Sequence, residues 1–279
     1  MSRPEILSEQ SLHRATGENG DFEGLEADKT VFGTYAREGH WGRDVVHFFF
    51  RHFGRHPGGL YVDAGANIGL TAVPVARLET VAATVCIEAD PVNAALLRRN
   101  LDRNGCRAQV VEAAISDQAG SLSFERDPAN FGDHRIEGTG AGLLGEDTRT
   151  RITVGARPLD AIMDEAGLEG PIALKSDIQG AEPLLFRGGG ATLERTETAL
   201  IEYWPYGMAR LGEDEAVFRA AIAEQFSSGA LIWPHAPTAD PDWRSLASIF
   251  DEVDAVFSGG DSELHRIGCL NLALRKAAP

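Results

Sequence analysis

Apolar and polar positions along the chain switch between two periods. Continuous or alternating apolar runs read as strands at residues 60–63, 83–88, 108–116, 121–125, 151–157, 172–182 (a strand with its exit), 198–203, 230–233 and 270–275. Between them the spacing becomes helical. Val45, Phe48, Phe49 and Phe53 recur at i, i+3, i+4 and i+8, and Ala94, Leu97 and Leu101 at i, i+3 and i+7. Further helical faces fall at 159–166, at Phe218, Ile222 and Phe226, and at Leu246, Ile249, Phe250, Val253 and Phe257. Strands alternating with helices, with no internal repeat, predict one doubly wound α/β domain over residues 31–279. Residues 1–30 are polar and read as a loose N-terminal arm. Residues 126–150, rich in Gly and Asp, read as a long substrate loop or lid. Its single histidine, His134, is expected to be an exposed loop residue, and His47 and His52 are expected on the solvent side of their helix.

The stretch YVDAGANIG, residues 61–69, organises the rest. It reads as a buried strand ending at Asp63, followed by a turn in which Gly65 and Gly69 allow backbone geometry closed to other residues. In an open α/β sheet, ligands bind outside the carboxyl ends of the strands. The spacing lacks the G-x-G-x-x-G pattern that brings a pyrophosphate against a helix N-terminus. A turn of Asp63, Gly65, Asn67 and Gly69 suits S-adenosylmethionine (SAM), whose ammonium needs an acceptor and whose carboxylate needs N–H donors. Glu88 ends the next strand, about 20 residues on, where an acidic side chain takes the two ribose hydroxyls of an adenosine cofactor. Asp90 and Pro91 then read as the cap and first residue of a helix. Ser116 and Asp117, just past the third strand, are candidates for holding the adenine amino group.

Charge and cysteine content narrow the class. The net charge is −16, which argues against nucleic acid as a main partner, since such proteins carry a basic face. Cys86, Cys106 and Cys269 are odd in number and widely spaced, without zinc-ligand spacing, as expected for reduced thiols in a cytoplasmic protein. No signal-type apolar segment opens the sequence and no 18-residue apolar run occurs, so no membrane association is expected.

A second constellation, KSDIQGAE at 175–182, ends the fourth core strand. Lys175 and Asp177 fall on one side of a strand, Gly180 permits a sharp turn, and Glu202 ends the next strand. Charged groups at an apolar strand end need partners, and a paired cluster in a cleft is a site candidate. Asp177, Lys175 and Glu182 are therefore the candidate catalytic residues. Asp177 or Glu182 would take a proton, with Lys175 orienting that carboxylate. A divalent metal held by Asp177, Glu182 and Glu202 is an alternative use of the same groups.

Together VDAGANIG, IEADPVNAALLRRN, KSDIQGAE and LIEY resemble the FkbM family of SAM-dependent methyltransferases, over residues 35–205. The resemblance implies a class I methyltransferase (Rossmann-like) fold, with a seven-stranded sheet whose last strand is antiparallel. It also implies O-methylation of a hydroxyl on a small molecule or glycan. Gln179 departs from the pattern, which usually carries glutamate there. Two other readings compete: an NAD(P)-dependent oxidoreductase, disfavoured by the missing glycine pattern, and a SAM-binding module without activity.

Overall fold

In a computed structural model describing residues 11–139, 146–258 and 268–277, the chain opens with a hairpin, β1 (Leu12–Gly17) and β2 (Gly20–Leu25). Helices α1 (Val31–Glu38) and α2 (Arg43–Arg55) follow. β3 (Gly59–Ala64) leads to the short α3 (Ala72–Ala76), and β4 (Val81–Glu88) leads to α4 (Pro91–Arg103). β5 (Gln109–Glu112), β6 (Ala114–Ile115), β7 (Gly120–Arg126), β8 (Arg135–Ile136) and β9 (Thr150–Arg157) come next. After α5 (Leu159–Ala166) and β10 (Ile172–Ser176) lie α6 (Glu182–Gly188), α7 (Gly190–Arg195) and β11 (Thr196–Tyr203). The chain continues through α8 (Pro205–Arg210), α9 (Glu215–Gln225), β12 (Ser228–Ile232), β13 (Arg244–Ser245), α10 (Leu246–Ser258) and β14 (Leu270–Arg275).

The main sheet has the order β5-β4-β3-β10-β11-β14-β12, with the two-residue β13 at the far edge. β5, β4, β3, β10 and β11 are parallel, and β14 is antiparallel to both neighbours. The seven expected strands are present, with the terminal one reversed as expected. Both faces of the sheet are covered, as strand alternation requires. Leu60, Val62, Leu174, Ile201 and Leu272 pack with side chains of α5, α6, α9 and α10. Their neighbours Tyr61, Ala173, Leu200 and Ala273 pack on the opposite face against Phe48, Phe49 and Phe53 of α2. From β3 the sheet grows through β4 to β5, then resumes on the other side of β3 with β10. That reversal opens a crevice at the carboxyl ends of β3 and β10.

Three expectations change. The described part of the N-terminal arm is ordered. Phe22 and Leu25 of the hairpin are buried in a cluster with Ile68, Leu97 and Leu101. Asn100 on α4 bonds the backbone N–H and C=O of Glu23 and the carbonyl of Ile68. The buried Glu23 carboxylate is held by Arg14, Arg99 and Arg103. The segment looks polar in sequence because its charges are neutralised by residues far along the chain. Residues 1–10 lie outside the described residues.

The third strand, expected over 108–116, breaks at Ala113. β5 stays in the main sheet, while β6 turns away to pair with β9 in a second sheet of order β6-β9-β7-β8. The expected 126–150 loop contributes short pieces to that second sheet. It holds a 3-10 turn at Phe131–Asp133 and strand β8, with the start of β9 at Thr150. Residues 140–145 of that stretch lie outside the described residues.

Candidate active site

Gly65 leaves β3 at φ 75°. A Cβ there would overlap the carbonyl of Asp177, so the exits of β3 and β10 touch and only glycine fits between them. Gly65 and Ala66 donate their N–H groups to Ile87 at the end of β4. The turn is thereby pinned between the two strands that flank β3. Asn67, at φ 51°, continues it.

A cavity of about 460 Å³ lies over this edge. At one end it is lined by Ala66, Asn67, Glu88, Ala89, Ala114 and Ile115, and is walled by Phe124, Phe131, His134 and Ile136 of the second sheet. At the other end are Lys175, Asp177, Gln179 and Glu202, with Trp41, Asp44, Trp233 and Asn271. Antiparallel β14 reaches this end because its first residues pair with the last of β11 and β12.

Glu88 is buried. Its two carboxylate oxygens accept N–H bonds from Asn67 and Asp90, both at 2.8 Å. Burial raises its pKa to about 7, with the Asp90 carboxylate adding to the effect and the backbone N–H donors opposing it. Asp90 caps α4 through the N–H groups of Val92 and Asn93, as expected, and pairs with Arg126 at 2.6 Å.

Lys175 is buried, with its ammonium 3.0 Å from Asp63 and 2.7 Å from the Gly65 carbonyl oxygen. Burial works against its charge, but Asp63 and Asp177 more than offset that and hold its pKa above the ordinary value. Asp177 is half-exposed and lies 3.9 Å from Lys175. Gln179, at φ 57°, donates from its amide nitrogen both to Asp177 at 2.7 Å and to Glu202 at 2.9 Å. Burial, then the nearby Asp177 and Glu182 carboxylates, push the Glu202 pKa well up.

Glu88, Gly65, Asn67, Lys175 and Asp177 are therefore gathered on one cavity. Asp63, Gly69, Glu182, Ser116 and Asp117 do not line it. Asp63 sits behind the turn, fully enclosed, neutralised by Lys175 and bonded to Tyr61 and Thr71. Gly69 turns the backbone at φ 94° against Leu97. Glu182 spends its oxygens on the N–H groups of Ile178 and Gly180 and on Ser176. It braces the turn after β10 rather than facing an acceptor. Burial raises its pKa to about 7. Ser116 is buried at the β6 exit, and Asp117 pairs with Arg187 at 3.1 Å. Both lie off the cavity lining because the chain leaves the main sheet at Ala113, before it reaches them.

His134, expected to be an exposed loop residue, is instead buried on the cavity wall. Asp44, Trp41, Trp233 and Asn271 were missed. They come from α2, the loop before it and the C-terminal third, and no local pattern marks them. His52 is half-buried, and burial lowers its pKa to about 4. Among the described residues no group of three or more His, Cys, Asp or Glu side chains is arranged to hold a metal ion, and no helix is long and apolar enough to cross a membrane.

The residues present fit SAM: a backbone cradle at Gly65–Asn67, a carboxylate at the β4 end, and an apolar slot between Ala89, Ala114 and Ile115. With the reversed seventh strand, this defines a class I SAM-dependent methyltransferase. The sequence matches the methyltransferase FkbM domain over residues 63–219, and the chain belongs to that family. It is 34% identical over 158 residues to the 2-O-methyltransferase NoeI of Sinorhizobium fredii (strain NBRC 101917 / NGR234), covering 53% of this chain and 64% of that protein. The chain thus spans under two thirds of that relative. Among solved structures, it is similar to the 16S rRNA N2 G1207 methyltransferase RsmC of T. thermophilus in complex with AdoMet and guanosine. That likeness has a TM-score of 0.42 and 13% identity, covering 96% of this chain and 50% of RsmC. For magnesium protoporphyrin IX methyltransferase ChlM of Synechocystis PCC 6803 with bound SAM, the values are 0.41, 11%, 84% and 77%.

Proposed function

We propose that the protein transfers a methyl group from SAM to a hydroxyl oxygen of a small molecule or glycan. One observation carries the reading: a single cavity joins the Glu88 carboxylate to the Lys175–Asp177–Gln179–Glu202 cluster. Two tryptophans beside Asp44 and Asn271 at the open end suit a hydroxyl-rich acceptor, with rings to cover its C–H faces and polar groups to hold its hydroxyls. The negative charge supports an acceptor other than nucleic acid. A cytoplasmic location belongs to the same proposal, supported by three free cysteines.

When bound, SAM supplies an electrophilic methyl group. The chain's residues align the acceptor with it, and alignment is worth up to ~7–11 kcal/mol. Gly65–Asn67 and Glu88 hold the cofactor. Asp177 takes the acceptor's proton: its half-exposed carboxylate lies beside Lys175, whereas burial and the neighbouring Asp177 and Glu182 carboxylates disfavour the ionised form of Glu202. The Gln179 amide fixes the Asp177 carboxylate, and Lys175 binds the Gly65 carbonyl so that cofactor turn and base keep one spacing. The oxidoreductase reading is set aside by family membership.

The test is Asp177→Asn, assayed with labelled SAM on a panel of saccharides and small alcohols. The expected result is acceptor labelling by the wild type and a turnover loss of ~10²–10⁴-fold in the variant, with SAM affinity nearly intact. Near-wild-type turnover would remove Asp177 from the mechanism. Labelling of amines alone would overturn the O-methylation reading, and SAM binding without labelling of any acceptor would favour an inactive module.

A further inference from the structure

The second sheet brings a short strap, residues 131–134, over the cofactor corner. The strap is tied to that corner by side chains of the corner itself. The Phe131 carbonyl accepts bonds from Asn67 of the glycine turn at 2.8 Å and from Asn93 in the first turn of α4 at 3.2 Å. Its N–H lies 3.4 Å from Asp28, the residue that caps α1. Behind the strap, Asp133 is paired with Arg149 and Arg135. The Phe131 and His134 rings are in contact, tilted by 38° with centroids 4.9 Å apart, and both line the cavity.

The histidine is set in one tautomer. Its Nδ1 accepts the backbone N–H of Asp127 at 3.1 Å, so the neutral ring carries its proton on Nε2. Burial lowers its pKa to about 4, which leaves the ring neutral at physiological pH. Among the described residues no partner bonds Nε2. A buried ring with one nitrogen fixed by backbone and the other left on a cavity wall is a ready hydrogen-bond donor. The groups around it at this end are Glu88 and the apolar Ala89, Ala114 and Ile115. An adenosine brings ring nitrogens and ribose oxygens that accept bonds, and an apolar face that wants cover.

We infer that His134 is a cofactor-binding residue: its Nε2–H donates to an acceptor atom on the adenosine half of the cofactor, and Phe131 covers that half. The inference rests on the proposed use of SAM and adds a binding element outside the glycine turn and Glu88. Because Asn67 and Asn93 bond the strap's backbone, the corner that holds the cofactor also holds its cover.

The experiment is calorimetry on the full chain with S-adenosylhomocysteine and, separately, with adenosine. His134→Phe keeps a ring and removes the donor. Loss of one neutral hydrogen bond should weaken both ligands by the same factor, about 3- to 10-fold. Phe131→Ala should weaken both as well. Unchanged affinity in His134→Phe, alongside a large loss in Glu88→Ala, overturns the inference and leaves SAM use standing. Failure of the wild type to bind either SAM or S-adenosylhomocysteine overturns the proposed function itself. Should His134→Phe fold poorly, nitrogen-15 NMR of the wild type decides. The His134 Nε2 resonance should shift when S-adenosylhomocysteine is added, and an unmoved resonance overturns the assignment.

Discussion

Glu88 shows what spacing can establish for a single residue. The end of the second core strand is a fixed place in this architecture, so its position on the cavity was legible from the sequence. Its raised pKa has a consequence for binding. Ribose hydroxyls donate to the ionised carboxylate, and a cationic cofactor favours that form too. Cofactor binding must therefore expel the proton wherever free Glu88 holds one, which is below about pH 7. SAM affinity should rise as pH increases from 6 to 7.5 and then level off. Calorimetry at pH 6.5 in two buffers of different ionisation heat should detect proton release. Glu88→Gln should abolish the dependence, and Glu88→Ala should weaken binding by ~1–3 kcal/mol. Affinity that falls with rising pH would rule out this coupling. Asp63 and Glu182 lie off the cavity lining for one shared reason: spacing places a residue near the end of a strand but does not tell which way its side chain turns. Both carboxylates are consumed by neighbours, one by Lys175 and the other by two backbone N–H groups.

Elements built from local pattern were legible, and those built from distant pairing were not. α4 carried its cap, its first-position proline and its apolar face in sequence, and all three are in place. The β1–β2 hairpin had only a few apolar residues to announce it, and its stability comes from α4. Asn100 is the joint, since its side chain satisfies both backbone groups of Glu23 and reaches Ile68 in the glycine turn. Asn100→Ala would leave buried N–H and C=O groups without partners, at ~1–3 kcal/mol for each group so stranded. The expected outcome is a lower melting temperature, with faster hydrogen exchange concentrated in residues 12–25 and 65–70. Unchanged exchange in the hairpin would mean that Phe22 and Leu25 alone hold it. The second sheet was legible in its two longer strands, β7 and β9, and hidden in its short ones. β8 is two residues long and exists only by pairing with β7, so the Gly- and Asp-rich composition around it reads as loop.

At the scale of the whole molecule, buried titrating groups pull stability in opposite directions with pH. His52 and His134 have pKa values lowered by burial to about 4. Below the unfolded value of about 6.5, the unfolded chain takes up protons that the folded one refuses. Their contribution is complete above that pH and lost as pH falls through 4. Glu88 and Glu182 behave in reverse. Burial raises both to about 7, so the folded chain binds protons that the unfolded one releases. Their contribution is complete below the unfolded value of 4.5 and lost as pH rises through 7. Each group moves stability by about 1.4 kcal/mol per pH unit inside its window. Between roughly pH 4.5 and 6.5 two histidines oppose two glutamates and the slopes largely cancel. Above that the histidines are spent and the glutamates remain, and Glu202, whose pKa is pushed well up by burial and by the Asp177 and Glu182 carboxylates, pulls in the same direction. Self-repulsion of a chain with net charge −16 acts in the same direction. The apo protein should therefore melt at a lower temperature at pH 8 than at pH 6.5. Salt separates the two causes, because surface repulsion is screened at high ionic strength and buried titration far less so. The decline should persist at about 0.5 M salt, where the Debye length is well under 10 Å, and Glu202→Gln should flatten it. A melting temperature that is level or rising from pH 6.5 to 8 at both salt concentrations would show that these carboxyls are ionised in the folded protein. Glu202 would then compete with Asp177 for the acceptor's proton.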